Sequence, residues 1–297
     1  MEGVSLSDVV KAADGRRLSV EVSGDPDGSP VFLLHGTPGS RVGPRPRGPL
    51  LHRLGIRLIS FDRPGYGGSD RLRGRRVADA AADVATIADT YGHDRFAVAG
   101  RSGGGPHALA CAALLPERVS RAAVLVGLAP RQADGLDWFD GMADSNVDAY
   151  AGAEGRLNRV IARLEAEADV IRDDPASLIH RLAAELTDHD RRVVADAGIR
   201  SLLMQAYAEA LRESAHGWID DVRAFRTPWG FDPATVAAPV LLWHGEGDVF
   251  SPVGHSLWLG ARIPGSTVIV ESDAAHFSAL EVLPEVLQWL IADLPPN

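Results

Sequence analysis

The chain has 297 residues, of which 45% are hydrophobic and 24% are charged, a composition typical of a globular protein with a large core. Its formal net charge of −10 argues against nucleic acid as the main partner. The single cysteine, Cys111, excludes an internal disulfide and a site with several thiolate ligands. No apolar run approaches the ~18 residues that cross a membrane, and the first residues lack the apolar segment of a signal peptide. We therefore expect a cytoplasmic protein with no membrane partner.

The first elements predicted along the chain are two strands joined by a tight turn at Asp14 and Gly15. Short, continuous apolar runs follow, of the kind found in strands that are buried on both faces. They occupy residues 31–35, 56–62, 96–100, 122–127, 239–245 and 267–271. Because helical stretches separate most of these runs, the alternation predicts an α/β fold. We expect a mainly parallel sheet of about eight strands with helices on both faces.

One long interval interrupts this alternation. Between Gly127 and Pro239 there is no convincing strand but several alanine-rich helical stretches, and so long a segment cannot be a structureless loop in a compact domain. We predict a helical cap inserted into the sheet domain, with core residues 1–129, cap residues 130–236 and core residues 237–297. Residues 131–235 contain 20 acidic residues and 12 arginines, so most of the net negative charge lies there.

A serine lies at the junction between a predicted strand and an apolar helix. Residues 100–104 read Gly-Arg-Ser-Gly-Gly, a G-x-S-x-G pattern in the strand, turn and helix context that a nucleophile elbow requires. Such a turn holds the serine in a strained conformation, and the two flanking glycines let strand and helix approach closely. Ser102 is therefore the candidate nucleophile, at a helix N-terminus that favours developing negative charge.

A nucleophilic serine needs a base and an orienting carboxylate, which in this architecture follow it in the order acid, then histidine. Asp248 comes after the penultimate predicted strand and His276 after the last, at the carboxyl ends where open α/β sheets bind ligands. Asp273, three residues before His276, is the alternative acid. The backbone N–H groups of Thr37 and Gly103 are the candidates for an oxyanion hole.

Five segments resemble, in order and spacing, motifs of the α/β-hydrolase superfamily, in its branch with a helical cap after the sixth strand: HGTPGS, FDRPGYGGSD, GRSGGG, HGEGDVFSP and AAHFS. The resemblance implies the α/β-hydrolase fold and the triad named above. Serine at position 102 distinguishes the chain from epoxide hydrolases and haloalkane dehalogenases, which need aspartate there. The HGGPG loop of prolyl aminopeptidases, and their tryptophan after the serine, are absent. Gly103 replaces a bulkier residue common in the family, which is expected to widen the acyl pocket or loosen the loop.

Several side chains have two interpretations. Trp138, Trp218 and Trp229 lie in or beside the predicted cap, where they either form its core or line an apolar substrate pocket. The arginine-rich stretch from Arg41 to Arg57 either binds an anionic substrate or carrier, or is a solvated face or pairs with the acidic cap. Residues 103–108 also fit a dinucleotide-binding G-x-G-x-x-A pattern, but the next predicted strand lacks the acidic residue that binds a ribose.

These patterns favour a serine hydrolase that cleaves a small-molecule carboxylic ester, or an amide, lactone or thioester, through an acyl-enzyme intermediate. We expect neither a metal nor an organic cofactor, and a monomer or homodimer. Two alternatives remain open. One is a cofactor-free perhydrolase or haloperoxidase that uses the same triad, and the other is a non-catalytic binding protein on the same fold.

Overall fold

A computed structural model describes residues 6–151 and 154–292, without the side chains of residues 154–156. In this part of the chain, eight strands form one sheet: β1 (Leu6–Lys11), β2 (Arg17–Gly24), β3 (Ser29–Leu34), β4 (Ile56–Phe61), β5 (Phe96–Arg101), β6 (Val119–Leu125), β7 (Val240–Gly245) and β8 (Ser266–Glu271). Their order across the sheet is β1, β2, β4, β3, β5, β6, β7, β8. The pairs β1 with β2 and β2 with β4 are antiparallel, and the other pairs are parallel. The predicted sheet of about eight mainly parallel strands is confirmed.

Helices cover both faces of the sheet. Those of the described residues are α1 (Gly48–Arg53), α2 (Ala80–Thr90), α3 (Gly104–Leu114), α4 (Asp144–Tyr150), α5 (Glu154–Asp173), α6 (Ala176–Leu182), α7 (Asp188–Ala195), α8 (Ala197–Leu211), α9 (His216–Arg226), α10 (Gly254–Gly260) and α11 (Leu283–Ile291). Short 3₁₀ turns at Val77–Asp79, Pro233–Thr235 and Phe277–Leu280 complete the set. No helix in these ranges is both long enough and apolar enough to cross a membrane.

The continuous apolar runs are explained by burial on two sides. In β3, Phe32 and Leu34 belong to the core beneath α2 and α3, whereas Val31 and Leu33 belong to the core beneath α1 and α11. Successive side chains of a strand point to opposite faces, so a strand covered on both faces is apolar throughout. The last strand differs from this expectation. Strand β8 lies at the edge of the sheet, so its side chains are partly buried or exposed and none is fully buried.

Helices α4 to α9 lie between β6 and β7, in the interval where the strand alternation stops. We refer to residues 144–226, from the start of α4 to the end of α9, as the helical insertion. One predicted helical stretch, residues 176–194, divides into α6 and α7. Thr187 caps the second helix, because its Oγ1 accepts the backbone N–H of Asp190 at 3.2 Å. The domain boundaries near residues 129 and 236 remain predictions.

The contact between α9 and the loop after β4 requires glycine at position 217, which gives a test of the packing. A Cβ on Gly217 would lie 2.4 Å from Cγ of Tyr66, a fully buried ring. We expect Gly217→Ala to lower the free energy of unfolding by about 1 to 3 kcal/mol, the usual cost of overpacking. Gly254→Ala is the control, since a Cβ there would meet Leu136 at an ordinary 3.4 Å. Equal denaturant midpoints for the two variants would contradict this account of the contact.

Candidate active site

Ser102 lies at the sharp turn between β5 and α3. Its φ of 53° is in the left-handed region, which residues other than glycine rarely adopt. A Cβ on Gly100 would lie 2.2 Å from the carbonyl oxygen of Gly104, and a Cβ on Gly104 would lie 2.1 Å from that of Leu34. Only glycine fits at both positions. The strained serine and its flanking glycines therefore form the elbow geometry that the pattern predicts.

His276 and Asp248 meet beside this turn. Nδ1 of His276 lies 2.8 Å from Oδ2 of Asp248, and both residues are buried. The other carboxylate oxygen, Oδ1, accepts the backbone N–H groups of Phe250 at 2.8 Å and Ser251 at 3.0 Å. Asp273, the alternative acid, is exposed, and no hydrogen bond joins it to His276 among the described residues. The geometry thus supports Asp248 as the partner of the imidazole.

Two further residues support Asp248, and neither was predicted from the sequence. Nε2 of His244, at the end of β7, lies 3.3 Å from Oδ2 of Asp248. The Ser251 hydroxyl donates to the carbonyl of Val126 at 2.6 Å and lies 3.1 Å from the same Oδ2. Burial raises the pKa of Asp248, but the imidazoles of His276 and His244 outweigh it and hold that pKa below its usual range. A signal for His244 was present, since it ends a buried strand four residues before Asp248.

The two residues proposed for the oxyanion hole are in contact. A Cβ built on Gly103 would lie 2.2 Å from Oγ1 of Thr37, so the threonine side chain occupies that space. The expectation of a wider pocket at Gly103 is therefore wrong. The imidazole of His107 also holds this turn, with Nδ1 2.8 Å from the Gly103 carbonyl oxygen. Within the described residues, the N–H groups of Thr37 and Gly103 donate no hydrogen bond, so both are available to a ligand oxygen.

A buried ion pair holds the Thr37 loop from behind. Nη2 of Arg63 lies 2.6 Å from Oδ2 of Asp221, and neither side chain is exposed. The same guanidinium donates hydrogen bonds to the carbonyls of His35 and Gly36, the two residues before Thr37. The Thr37 hydroxyl donates to Oδ2 of Asp221 at 2.5 Å. Asp221 therefore contacts the candidate oxyanion loop both directly and through Arg63.

The Asp221 carboxylate receives two more contacts. The Tyr66 hydroxyl donates to Oδ2 at 2.8 Å, and Nη2 of Arg75 lies 2.7 Å from Oδ1. Burial favours the neutral acid, but the charges of Arg63 and Arg75 prevail and hold the pKa of Asp221 well below its usual range. Since Asp221 lies on α9, this ionised side chain joins the helical insertion to the loop after β3.

A second carboxylate of the insertion reaches the loop that carries His276. Oδ1 of Asp190, on α7, accepts the backbone N–H of Phe277 at 2.7 Å. Asp190 is fully buried, whereas Asp188 at the start of the same helix is exposed. The start of α7 is therefore only partly solvated, because Asp190 binds a residue that lies 87 positions later in the chain.

The insertion also pairs with the arginine-rich stretch after the Thr37 loop. Nη1 of Arg41 lies 2.5 Å from Oδ2 of Asp62 and also contacts the carboxylate of Glu209 on α8. Arg45 pairs with Glu21 of β2 at 3.0 Å. Of the interpretations offered for this stretch, pairing with the acidic insertion is the one observed for Arg41.

A cavity of about 320 Å³ opens at these residues, a size suited to a small molecule. Its lining includes Thr37, Ser102, Gly103 and His276, together with Trp218 of the helical insertion. Ser102 and His276 thus face one space, with the candidate oxyanion donors beside them.

The other two tryptophans do not line this cavity, which corrects their assignment to the substrate pocket. Trp138 is 3% exposed, donates its indole N–H to the carbonyl of Ala129 at 2.9 Å, and packs edge-on against His255. Trp229 is 2% exposed and packs against Phe231. Both residues serve as core, because their rings are enclosed by the sheet domain and the segments that flank the insertion.

Comparison with known proteins defines the class. Residues 29–171 match the family model described as the alpha/beta hydrolase fold. A proline iminopeptidase of Xylella fastidiosa (strain Temecula1) is 31% identical over 90% of this chain and 89% of that protein. A pimeloyl-[acyl-carrier protein] methyl ester esterase of Aromatoleum aromaticum is 29% identical over 89% of this chain and 97% of that protein. A solved bromoperoxidase of Bacillus anthracis superposes with a TM-score of 0.69 at 19% identity, covering 97% of this chain and 100% of that one.

The chain belongs to the α/β-hydrolase family. Its relatives with hydrolase names support a hydrolytic enzyme.

The Asp221 contacts predict a coupled loss of stability and reactivity. In Asp221→Asn, two buried arginines lose their counter-charge, so we expect the free energy of unfolding to fall by about 3 to 5 kcal/mol. Displacement of Thr37 should also slow labelling of Ser102 by a fluorophosphonate about 10- to 100-fold, because the oxyanion donors are misplaced. Urea unfolding and labelling kinetics measure the two effects.

Asp220→Asn is the matched control, one residue earlier on α9. Its partners Arg71 and Arg223 have side chains that are 16% and 42% exposed, so solvent can replace the lost carboxylate. We expect a smaller loss of stability and an unchanged labelling rate. Similar losses in both variants would show that Asp221 contributes no more than an ordinary helix carboxylate.

Proposed function

We propose that this protein hydrolyses a small-molecule carboxylic ester through an acyl-enzyme formed on Ser102. The observation that carries the proposal is the shared cavity: it is lined by a serine at a strained elbow and by a histidine whose Nδ1 is bound to a buried carboxylate. An esterase among the relatives supports the choice of an ester. A panel of esters, anilides, lactones and thioesters tests it, with the esters expected to give the highest kcat/KM.

In the proposed first half-reaction, Oγ of Ser102 attacks the ester carbonyl while Nε2 of His276 takes the hydroxyl proton. The bound carboxylate of Asp248 keeps the imidazole in the tautomer with Nδ1 protonated and stabilises its charged form. The carbonyl oxygen gains negative charge next to the N–H groups of Thr37 and Gly103. The C–O bond to the alcohol then breaks, and His276 returns the proton to the departing oxygen.

In the second half-reaction, a water molecule replaces the alcohol. His276 takes a proton from this water as its oxygen attacks the acyl carbonyl, and the same N–H groups bind the new oxyanion. The bond to Ser102 breaks, the carboxylic acid leaves, and the proton returns to the serine oxygen. Trp218 and the rest of the insertion shape the space that receives the acyl group in this scheme.

The nucleophile can be identified by covalent labelling. We expect a neutral fluorophosphonate to modify Ser102 and no other serine of the folded protein, because the elbow and the helix N-terminus activate this hydroxyl. Peptide mapping by mass spectrometry locates the adduct, and Ser102→Ala is the control that should remain unlabelled. An adduct on a different serine, or no adduct on folded protein, would falsify the acyl-enzyme scheme.

The acid can be identified by two matched substitutions. Asp248→Asn should lower kcat about 10³- to 10⁵-fold, as happens when a triad carboxylate loses its charge. Asp273→Asn should lower kcat less than about tenfold, since Asp273 is exposed and outside the hydrogen-bond network described above. Thermal unfolding of both variants separates a catalytic effect from loss of fold. If the two effects were exchanged, Asp273 would be the acid.

A further inference from the structure

Arg101, the residue before Ser102, is a cation that pairs with no carboxylate in the described part of the chain. It lines the cavity of the candidate active site and also a smaller one of about 20 Å³ beside the Thr37 loop, and the residue as a whole is partly exposed. Among the described residues, no carboxylate lies within 4.0 Å of its guanidinium, and Nη1 is shielded from solvent with no hydrogen-bond partner. Because arginine stays protonated in proteins, a full positive charge is left unpaired beside the nucleophile.

Each of the other charged side chains that line the cavity has an ion-pair or hydrogen-bond partner among the described residues. Nη1 of Arg181 lies 2.6 Å from Oε1 of Glu167, and Nε of Arg163 lies 3.7 Å from the same oxygen. The Glu185 carboxylate accepts the backbone N–H and the hydroxyl of Ser145 at 2.9 and 2.6 Å. Arg101 therefore differs from the other arginines that line this space.

Arg101 is also close enough to the nucleophile to contact a small substrate. A Cβ built on Gly36 would lie 3.4 Å from Nη2 of Arg101 and 3.6 Å from Cβ of Ser102. Nη2 of Arg101 and Cβ of Ser102 are therefore at most about 7.0 Å apart. The Cζ atom of Arg101 lies 5.7 Å from the ring centre of Phe277. The guanidinium is thus held between the candidate oxyanion loop and the loop that carries His276.

Neighbouring acidic groups do not neutralise this charge. The carboxylates of Asp190 and Asp248 act on Arg101 only through space, since each is engaged elsewhere, with the N–H of Phe277 and with His276. Tyr207 of α8 lines the same cavity; burial raises its pKa, against the opposing effect of the Arg101 charge, so its hydroxyl stays a neutral donor. The Arg101 guanidinium and the Tyr207 hydroxyl are both hydrogen-bond donors, and such a pair suits an anionic ligand.

We propose that Arg101 binds a carboxylate of the substrate, so that the substrate class is the monoester of a short dicarboxylic acid. This inference rests on the proposed ester hydrolysis. A planar guanidinium binds a carboxylate through two parallel hydrogen bonds, and the distance to Ser102 suits a carboxylate about two to four carbon atoms from the scissile carbonyl. A carboxylate on the acyl part keeps this contact in both half-reactions.

The first test compares substrates on the unmodified protein. Monomethyl esters of dicarboxylic acids with three to six carbon atoms are compared with the matching methyl esters that carry a carboxamide in place of the carboxylate. At pH 7.5 the acids are ionised, and we expect kcat/KM to favour the anion by about 10- to 150-fold at the best chain length, the range for a hydrogen bond to a charged group. Equal or lower values for the anions would overturn the proposal.

The second test assigns the effect to one side chain. Arg101→Met should lower the ratio of anionic to neutral kcat/KM about 10- to 150-fold, and Arg101→Lys should lower it less, because lysine keeps the charge without the paired geometry. Arg181→Met is the matched control: it removes the same charge from the same cavity, but from a guanidinium that is already paired with Glu167. Its ratio should stay within about threefold of the parent. An unchanged ratio in Arg101→Met would overturn the assignment.

Failure of this inference is distinguishable from failure of the proposed function. If Arg101→Met does not fold, competitive inhibition of the parent decides: succinate should inhibit turnover of a neutral ester, whereas succinamide should not at the same concentration. Equal inhibition by the two would overturn the carboxylate site. If Ser102 is labelled and neutral esters are hydrolysed, but anionic esters are not preferred, only the role of Arg101 is contradicted. No turnover of any ester and no label contradict the proposed function itself.

Discussion

The buried pair of Arg63 and Asp221 is the interaction on which the arrangement of the candidate site depends. One guanidinium, without exposed area, joins the carbonyls before Thr37 to a carboxylate on α9. Both charges are buried and have lost their hydration. Removal of either one leaves the other unpaired where water cannot solvate it, which destabilises the fold. The pair is also where a distant helix meets the loop whose N–H groups would bind an oxyanion. The same contact therefore contributes to the stability of the fold and fixes the position of the candidate oxyanion loop.

A second carboxylate extends this relation to the opposite side of the cavity. Asp190 binds the backbone beside His276, as Asp221 binds the side chain of Thr37. The helical insertion thus holds the candidate oxyanion loop and the histidine loop, although it contributes neither the serine, the histidine nor the acid. A movement of α7 or α9 away from the sheet would displace these loops together. The positions of both loops therefore depend on the same insertion.

The sequence predicted best what depends on residues close together in the chain. The elbow around Ser102 follows from glycines two positions on either side, and Asp248 and His276 follow from the ends of strands that their own apolar runs reveal. The contacts of Asp221 and Asp190 were not predictable, because their partners lie 158 and 87 residues away and one acidic residue among 40 carries no mark of burial. The position of Trp138 was hidden for the same reason, since His255 lies 117 residues later.

Arg63 and Arg101, which follow or end strands β4 and β5, differ in whether a carboxylate pairs with the guanidinium. Arg63 follows β4 and is enclosed by a carboxylate and two carbonyls, so its charge is used within the fold. Arg101 ends β5 and meets the face of Phe277 and a cavity instead. A chain with 40 acidic residues and 30 basic ones has carboxylates in excess, yet none pairs with this guanidinium in the described residues. An unpaired, partly desolvated cation beside a strained serine weakens the fold, and a ligand carboxylate is the group that would recover that energy.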